Sequence, residues 1–420
     1  MTTGPSKVPE QPAVMRKWGP QGSLVILMIT AFVDMVGLLM VIPLLPFYAV
    51  DLGASAFVVT LLVASFSFAQ LVSAPLWGRF SDRYGRRPAL LVGLTAAAIA
   101  YVVFAYADSL WLLFVSRLVQ GAGGGTVGVI QAYVADSTRP DERAKSLGWL
   151  SAATNLGVTL GPVLGSASLS LGKEAPGLMA AALCLVNILF AARYLTESHD
   201  VKARQVSDAA PGAPRVRRSR EALLGVLARP GDPASRLIWI YSIAMGSFQG
   251  ITAILALFLM ARYDVTASTI GFFFTYMGAL SVLTRALVLG PMVDRFGEAR
   301  LTRIGAVLMA TGLAAIPLTH SYVTLAIAVA LLPLGTAFTF PCVTALLSRV
   351  ISGRERGLYM GVQQTFGGIT RSVFPALAGL AYDHLGIGVP FWIAAALVAG
   401  TIFLGAGMER YIDSPVVVSS

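Results

Sequence analysis

Twelve apolar runs punctuate this chain, at residues 23–50, 57–77, 88–107, 110–134, 147–170, 177–195, 236–261, 268–290, 301–319, 322–348, 358–382 and 389–408. At roughly 1.5 Å per residue, a run of about 20 residues crosses about 30 Å of hydrocarbon as a helix. A helix also pairs its own backbone polar groups, which a membrane interior would otherwise leave unsatisfied. Charge supply closes the alternative. Only 12% of the 420 residues are charged, about half the roughly 25% of a soluble domain, too little to coat a soluble body. The 42 glycines and 22 prolines suit membrane helices, where they allow close approach and bends. The expected fold is therefore an all-α membrane protein of twelve transmembrane helices.

The runs group as six and six. A polar tail covers residues 1–22, a first six-helix bundle 23–195, a linker 196–235, a second bundle 236–408, and a short tail 409–420. The linker holds Arg215, Arg217, Arg218 and Arg220 among Pro, Ala and Ser, with one short surface helix expected near residues 220–227. The first apolar run is too long for a signal-peptide core and carries an acid near its middle, so no cleavable signal is expected. With the first residue inside, the external loops hold only Lys173 and Arg262, and Arg117, Arg285 and Arg371 lie within spans. The other 26 of the 31 basic residues face the cytoplasm or its boundary, a positive-inside pattern. That placement accounts for the net charge of +10 as orientation and attraction to anionic lipid. Nucleic-acid binding would need a basic face with aromatic platforms, and none is visible.

The two halves repeat each other. GRFSDRYG at 78–85 recurs as GPMVDRFG at 290–297, 212 residues on. Glu142-Arg143 and Gly148 recur as Glu355-Arg356 and Gly361, and Pro162 as Pro375, each 213 residues on. Parallel repeats with a site between them suit a transporter that rocks around a central cavity.

Residues 78–88 (GRFSDRYGRRP) resemble the signature loop of the major facilitator superfamily. RLVQGAGGG at 117–125 resembles that family's fourth-span motif, and GVTLGPVLG at 157–165 its antiporter motif in span 5. Asp34, Gly37, Pro43 and Pro46 are similar to the first-span motif of its twelve-span drug exporters, tetracycline pumps among them. The resemblance implies the major facilitator fold, two pseudo-repeated bundles around a central cavity. It also implies a proton-coupled antiporter that exports small amphipathic compounds, with protons, the bilayer and a small-molecule substrate as partners. No cofactor is implied, a monomer is expected, and a bacterial inner membrane with both termini cytoplasmic is the expected location. The chain departs from the tetracycline exporters at span 8, where Ser281 stands, and in span 9, which holds no acid between Arg303 and His320. The second loop carries Glu298 and Ala299 where basic residues would stand.

Asp34 is the one acid placed deep within a span, at a depth of about 15 Å. Such a group is costly in a membrane and can load and release a proton as its surroundings change. Arg117, about 10 Å from the other face, lies within reach in height. The two form either a proton-exchanging pair or a static one. Arg371, near mid-membrane, needs water, a carbonyl or an anion, and either contacts substrate or pairs across the cavity. Arg285 lies nearer the membrane boundary, where its long stem can snorkel. Gly78, Asp82, Arg83, Gly85, Arg86 and Arg87, with Asp294 and Arg295 in the second copy, are expected to act as a gate. Gly157, Gly161 and Gly165, spaced by four beside Pro162, offer one flat helix face. With Gly121 they are expected to form either a seal against the facing half or ordinary small-residue packing. Gln131, Asn155, Gln249, Tyr276, Phe338, Phe340 and Gln363 are candidate cavity residues, joining Arg371. A metabolite symporter or organic-anion facilitator is the alternative to drug export. An enzyme is not expected: no metal cluster, nucleophile motif or phosphate-cradling loop is present. Cys184 and Cys342 sit alone in apolar runs, and His199, His320 and His384 fall in or near loops.

Overall fold

The computed structural model describes residues 19–139, 142–195, 197, 215–353 and 355–408. Most of the expected linker and nearly all of both tails lie outside the described residues. Helices account for almost all of what is described, and no strand occurs among those residues. The first half comprises α1 (Gly19–Val41), α2 (Leu45–Asp51), α3 (Ala56–Tyr84), α4 (Arg86–Ala105), α5 (Leu110–Gly123), α6 (Thr126–Ser137), α7 (Arg143–Ser168) and α8 (Ala175–Tyr194). A linker helix follows, α9 (Arg215–Ala228). The second half comprises α10 (Pro233–Tyr263), α11 (Ile270–Leu283), α12 (Leu289–Ala315), α13 (Tyr322–Val350), α14 (Arg356–Leu385) and α15 (Val389–Leu404).

Among the described residues, nine helical stretches are long and apolar enough to cross a membrane. The longest, residues 270–318, runs through one π-helical turn at Thr284–Val288 and bends at Gly297 (φ 72°, ψ 160°). Span 1 is α1 and α2 joined at Pro43, and span 4 is α5 and α6 broken at the Gly123–Gly125 run. Within the first half α1 packs on α7 and α8, and α4 on α5 and α8. In the second, α12 packs on α13, and α10 on α14 and α15. The halves meet through α3 against α14 and α7 against α11. The linker helix is longer than expected, and Val226 on it is buried in a cluster with Leu237 and Leu347 of the second half.

Side chains such as Leu185, Val186 and Leu189 on one face of α8, and Val323 and Ile327 on α13, point outward and are exposed. A water-facing surface of this kind would be unstable, and a lipid-facing one is not.

Candidate transport site and gates

Asp34 sits in the second half of α1 and is only 7% exposed. Its carboxylate Oδ2 accepts a hydrogen bond from Thr126 Oγ1 at 3.1 Å. Thr126 opens α6, the first residue after the glycine break, so the break delivers a hydroxyl to the acid. Asp34 lines two small cavities. One, of about 110 Å³, is shared with Gln131, Ser151 and Asn155. The other, of about 30 Å³, is shared with Gln70, Tyr101 and Gln120. A third cavity of about 680 Å³ lies between the halves, and Val127 borders all three. Its walls are Gln70, Leu71, Trp77 and Gly78 from α3 on one side and Gln364, Thr365, Gly368 and Arg371 from α14 on the other. Asp82 and Arg86 of the loop lie at its rim. The chamber wall mixes apolar side chains with polar and charged ones, Asp82, Arg86 and Arg371 among them.

Arg117 on α5 is the largest fully buried side chain, 1% exposed. It does not pair with Asp34: no ion pair within 4 Å joins them among the described residues. Its Nη2 donates to Ser116 Oγ at 3.2 Å, its guanidinium lies 5.5 Å from the Phe104 ring centroid, and its Nε finds no partner. Tyr101, also 1% exposed, stands within electrostatic range of both groups. Matching depth placed Arg117 and Asp34 at similar height, but height says nothing of which way a helix is turned, and this arginine is turned toward α4.

Arg371 lines the large chamber, with no hydrogen bond or ion pair among the described residues. Gln131 and Asn155 line the cavity beside Asp34. The other sequence candidates lie away from these three cavities. Gln363 is fully buried and accepts from Thr344 Oγ1 at 3.5 Å. Phe338 packs in a cluster with Leu301 and Cys342. Phe340 stacks edge-on against Tyr241, 5.5 Å between centroids. Tyr276 donates to the Ala326 carbonyl at 3.2 Å, and Gln249 is half-buried on α10. Sequence reading passed over Thr126, Tyr101, Gln120 and Gln364. Only Thr126 carried a signal, its place directly after a run of glycines inside a span.

The loop at 78–88 is a charged knot within the first half. Arg86 is 6% exposed and bridges Asp82 at 2.9 Å and Asp136 at 3.0 Å, while donating to Ser81 Oγ at 2.9 Å. Glu197 caps α4, taking the amides of Arg86 at 2.8 Å and Arg87 at 3.0 Å. Gly85 has φ 104°, which a side chain rarely tolerates, and its Cα faces the Glu197 carboxylate. Arg87 donates to the Ala192 carbonyl, and Arg83 lies over Tyr84 at 5.4 Å. Gly78 has open space where a side chain would be. In the second copy Asp294 is exposed and Arg295 lies over Phe296 at 5.5 Å. Glu298, at the place of Arg86, pairs with Arg349 at 2.8 Å.

The glycine face of α7 packs inside its own half. Gly157 abuts Phe32 and Met35, Gly161 abuts Val36 and Leu39, and Gly165 abuts Met40, all on α1. Gly121 abuts Phe66 and Ala69 on α3. The facing half is met instead by the Pro162 carbonyl and Ser166, against Gly271 on α11. Contacts between halves gather at the end away from the 78–88 loop, where Asp383 binds the start of α3 and Ser166 the start of α11. The chamber opens at the loop end and is shut at the other.

Comparisons with known proteins agree on the framework. The family model described as Major Facilitator Superfamily matches residues 27–288 and, overlapping, 237–411. The class C tetracycline resistance protein of Escherichia coli is 30% identical over 364 residues, 86% of this chain and 89% of that protein. Multidrug resistance protein 1 of Bacillus subtilis (strain 168) is 27% identical over 378 residues, 90% of this chain and 94% of that protein. The crystal structure of the human organic anion transporter MFSD10 superposes with a TM-score of 0.68 at 24% identity, covering 94% of this chain and all of that one.

Proposed function

This chain belongs to the Major Facilitator Superfamily, and on that premise we propose that it exports small amphipathic compounds in exchange for protons by alternating access. The observation that carries this reading is one buried carboxylate, Asp34, 7% exposed and lining two cavities beside the chamber between the halves. An acid at that depth is costly unless it is protonated, paired or reached by water, and such groups mark ion and substrate pathways. Asp34 holds a proton in one state and gives it up in the other. Thr126 donates to it, Tyr101 lines one of its cavities, and Gln131 and Asn155 line the other. The tetracycline and multidrug resistance relatives support the export direction.

In this reading the chain crosses the membrane twelve times, with Gly297 dividing residues 270–318 into two passes and α14 and α15 adding two more. Two six-helix bundles, 23–195 and 236–408, sit in a bacterial inner membrane with both termini cytoplasmic, supported by the Lys/Arg distribution. The protein acts as a monomer. The loop end of the chamber then faces the cytoplasm, ready to take up substrate.

The test is drug accumulation in cells expressing wild type or Asp34→Asn, with and without a protonophore. Lower accumulation is expected only with intact Asp34 and an intact gradient. Unchanged accumulation across a broad drug panel would remove the reading. Arg117→Ala is expected to move the pH profile of transport, and an unmoved profile would make Arg117 purely structural.

Arg371 favours a second reading. A cation without a partner in the chamber wall attracts an anion, and an organic anion moved by symport or facilitation would use it. Uptake of a labelled organic anion that Arg371→Gln abolishes, in a chain that leaves drug accumulation unchanged, would select this reading.

A further inference from the structure

At the end of the molecule away from the 78–88 loop, the halves are joined by a carboxylate seated on a helix terminus. Asp383, in the last turns of α14, accepts from the Ala56 amide on Oδ1 at 3.1 Å and from the Phe57 amide on Oδ2 at 2.8 Å. These are the first two amides of α3, in the other half. The next, Val58, goes to Ser55 Oγ at 3.4 Å within its own half. A helix start leaves its first amides unpaired and carries the positive end of the helix dipole. A carboxylate that takes two of them makes charge-assisted bonds, stronger than neutral ones. The backbone geometry commits to this seat. Gly379, one turn before Asp383, presses against Thr60 Oγ1 and the Ala56 carbonyl so closely that no side chain fits.

The other joint at this end lies between the corresponding pair of helices, α7 and α11, and it is neutral. Ser166 lies 213 residues before Gly379, the offset that also relates Pro162 to Pro375. Its Oγ accepts from the Gly271 amide at 3.0 Å and donates to the Ala267 carbonyl at 2.8 Å. One joint is therefore a charged clasp and the other a hydroxyl bridge.

We propose that Asp383 is a working residue of the transport cycle: its carboxylate clasps α3 to close this face, and release of the clasp sets how often the face opens. The proposal rests on the alternating-access reading above. When the face opens, α14 and α3 must part, and the carboxylate and both amides pass to water. Asp383→Ala removes both bonds. It should raise the open-face population about tenfold, the lower range for bonds to a charged group in a partly wet site. Asp383→Asn keeps one acceptor oxygen without the charge, and its shift falls between. Ser166→Ala, on the neutral joint, shifts less than Asp383→Ala.

The experiment measures distances between nitroxide labels at Leu171 and Leu318, exposed positions on opposite halves at this end. Both native cysteines are buried, which favours selective labelling. Wild type should show mainly the short distance. Asp383→Ala should gain a long-distance population, with Asp383→Asn intermediate. Identical distributions in all three would overturn the proposal, as would a larger shift from Ser166→Ala. Asp383→Asn preserves the shape of the site and stands in if the alanine variant does not fold. The distances need neither substrate nor a proton gradient. A chain that shifts as described yet exports no drug would keep the clasp and sink the export reading, and the reverse result would do the opposite.

Discussion

The two copies of the 78–88 loop are built on one plan, with Asp82-Arg83 kept as Asp294-Arg295 and one ion pair reversed. In the first copy Arg86 follows Gly85 and reaches Asp136 at 3.0 Å. In the second, Glu298 follows Gly297 and reaches Arg349 at 2.8 Å. Gly85 and Gly297 both take positive φ, 104° and 72°. The backbone turn and the bridge between neighbouring segments are preserved, while donor and acceptor have traded places. What differs is support. Arg86 is nearly buried and also holds Asp82 and Ser81, and Glu197 caps the helix beside it. Arg349 is more than half exposed and has the single acid. The lesson is that a fold can keep an interaction's position while letting its sign drift, provided the partner drifts with it.

Substitutions at five positions sharpen or break this comparison. Arg86→Ala strands two carboxylates and a hydroxyl beside a nearly buried site, and should destabilise the protein by about 2–3 kcal/mol, reduced from the fully buried case because both acids are partly wet. Thermal unfolding in detergent measures it, and a loss no greater than that of Glu298→Ala would contradict the unequal support. Gly85→Ala should cost about 1–2 kcal/mol, because positive φ is strained for alanine and the Glu197 carboxylate occupies the space. Gly297→Ala, with nothing near it, should cost about 1 kcal/mol in the same assay. Equal losses would mean that the Glu197 cap is unimportant. Glu298→Arg sets two cations together, and adding Arg349→Asp recreates the first copy's arrangement. The double variant should recover about 1 kcal/mol over the single one, and no recovery would deny that the two bridges are equivalent. Arg349→Ala leaves Glu298, whose side chain is 12% exposed, without its partner, and should cost about 1 kcal/mol, still less than Arg86→Ala.

Much of this was legible in the sequence, and the failures share one cause. The apolar runs rest on local periodicity, and helices occupy them among the described residues. The charge inversion was also visible as Glu298, but it reads as decay of the motif until Arg349 is seen beside it. Arg117 reads as within reach of Asp34, yet no ion pair joins them among the described residues, because counting residues fixes height and not azimuth. The same gap explains α7. Glycines at intervals of four announce a flat face, and only packing says that α1 lies against it. Phe338 and Gln363 are apolar-span residues that turn inward to their own bundle, where nothing in the alternation of the sequence distinguishes them from Gln131 and Asn155.

The break between α5 and α6 interrupts the helical ladder, and a neighbouring helix bonds to the carbonyls there. On α3, Gln70 donates to the Gly124 carbonyl at 3.1 Å, Trp77 to that of Ala122, and Ser73, at 3.4 Å, to that of Gly121, which also accepts the Gly124 amide. A bend held by side chains of another helix is a joint, since those bonds can be exchanged without unwinding a turn. The residue on the moving side of that joint is Thr126, the hydroxyl donor to Asp34. A flexing of span 4 at this joint would lengthen or break the hydrogen bond from Thr126 to the buried acid.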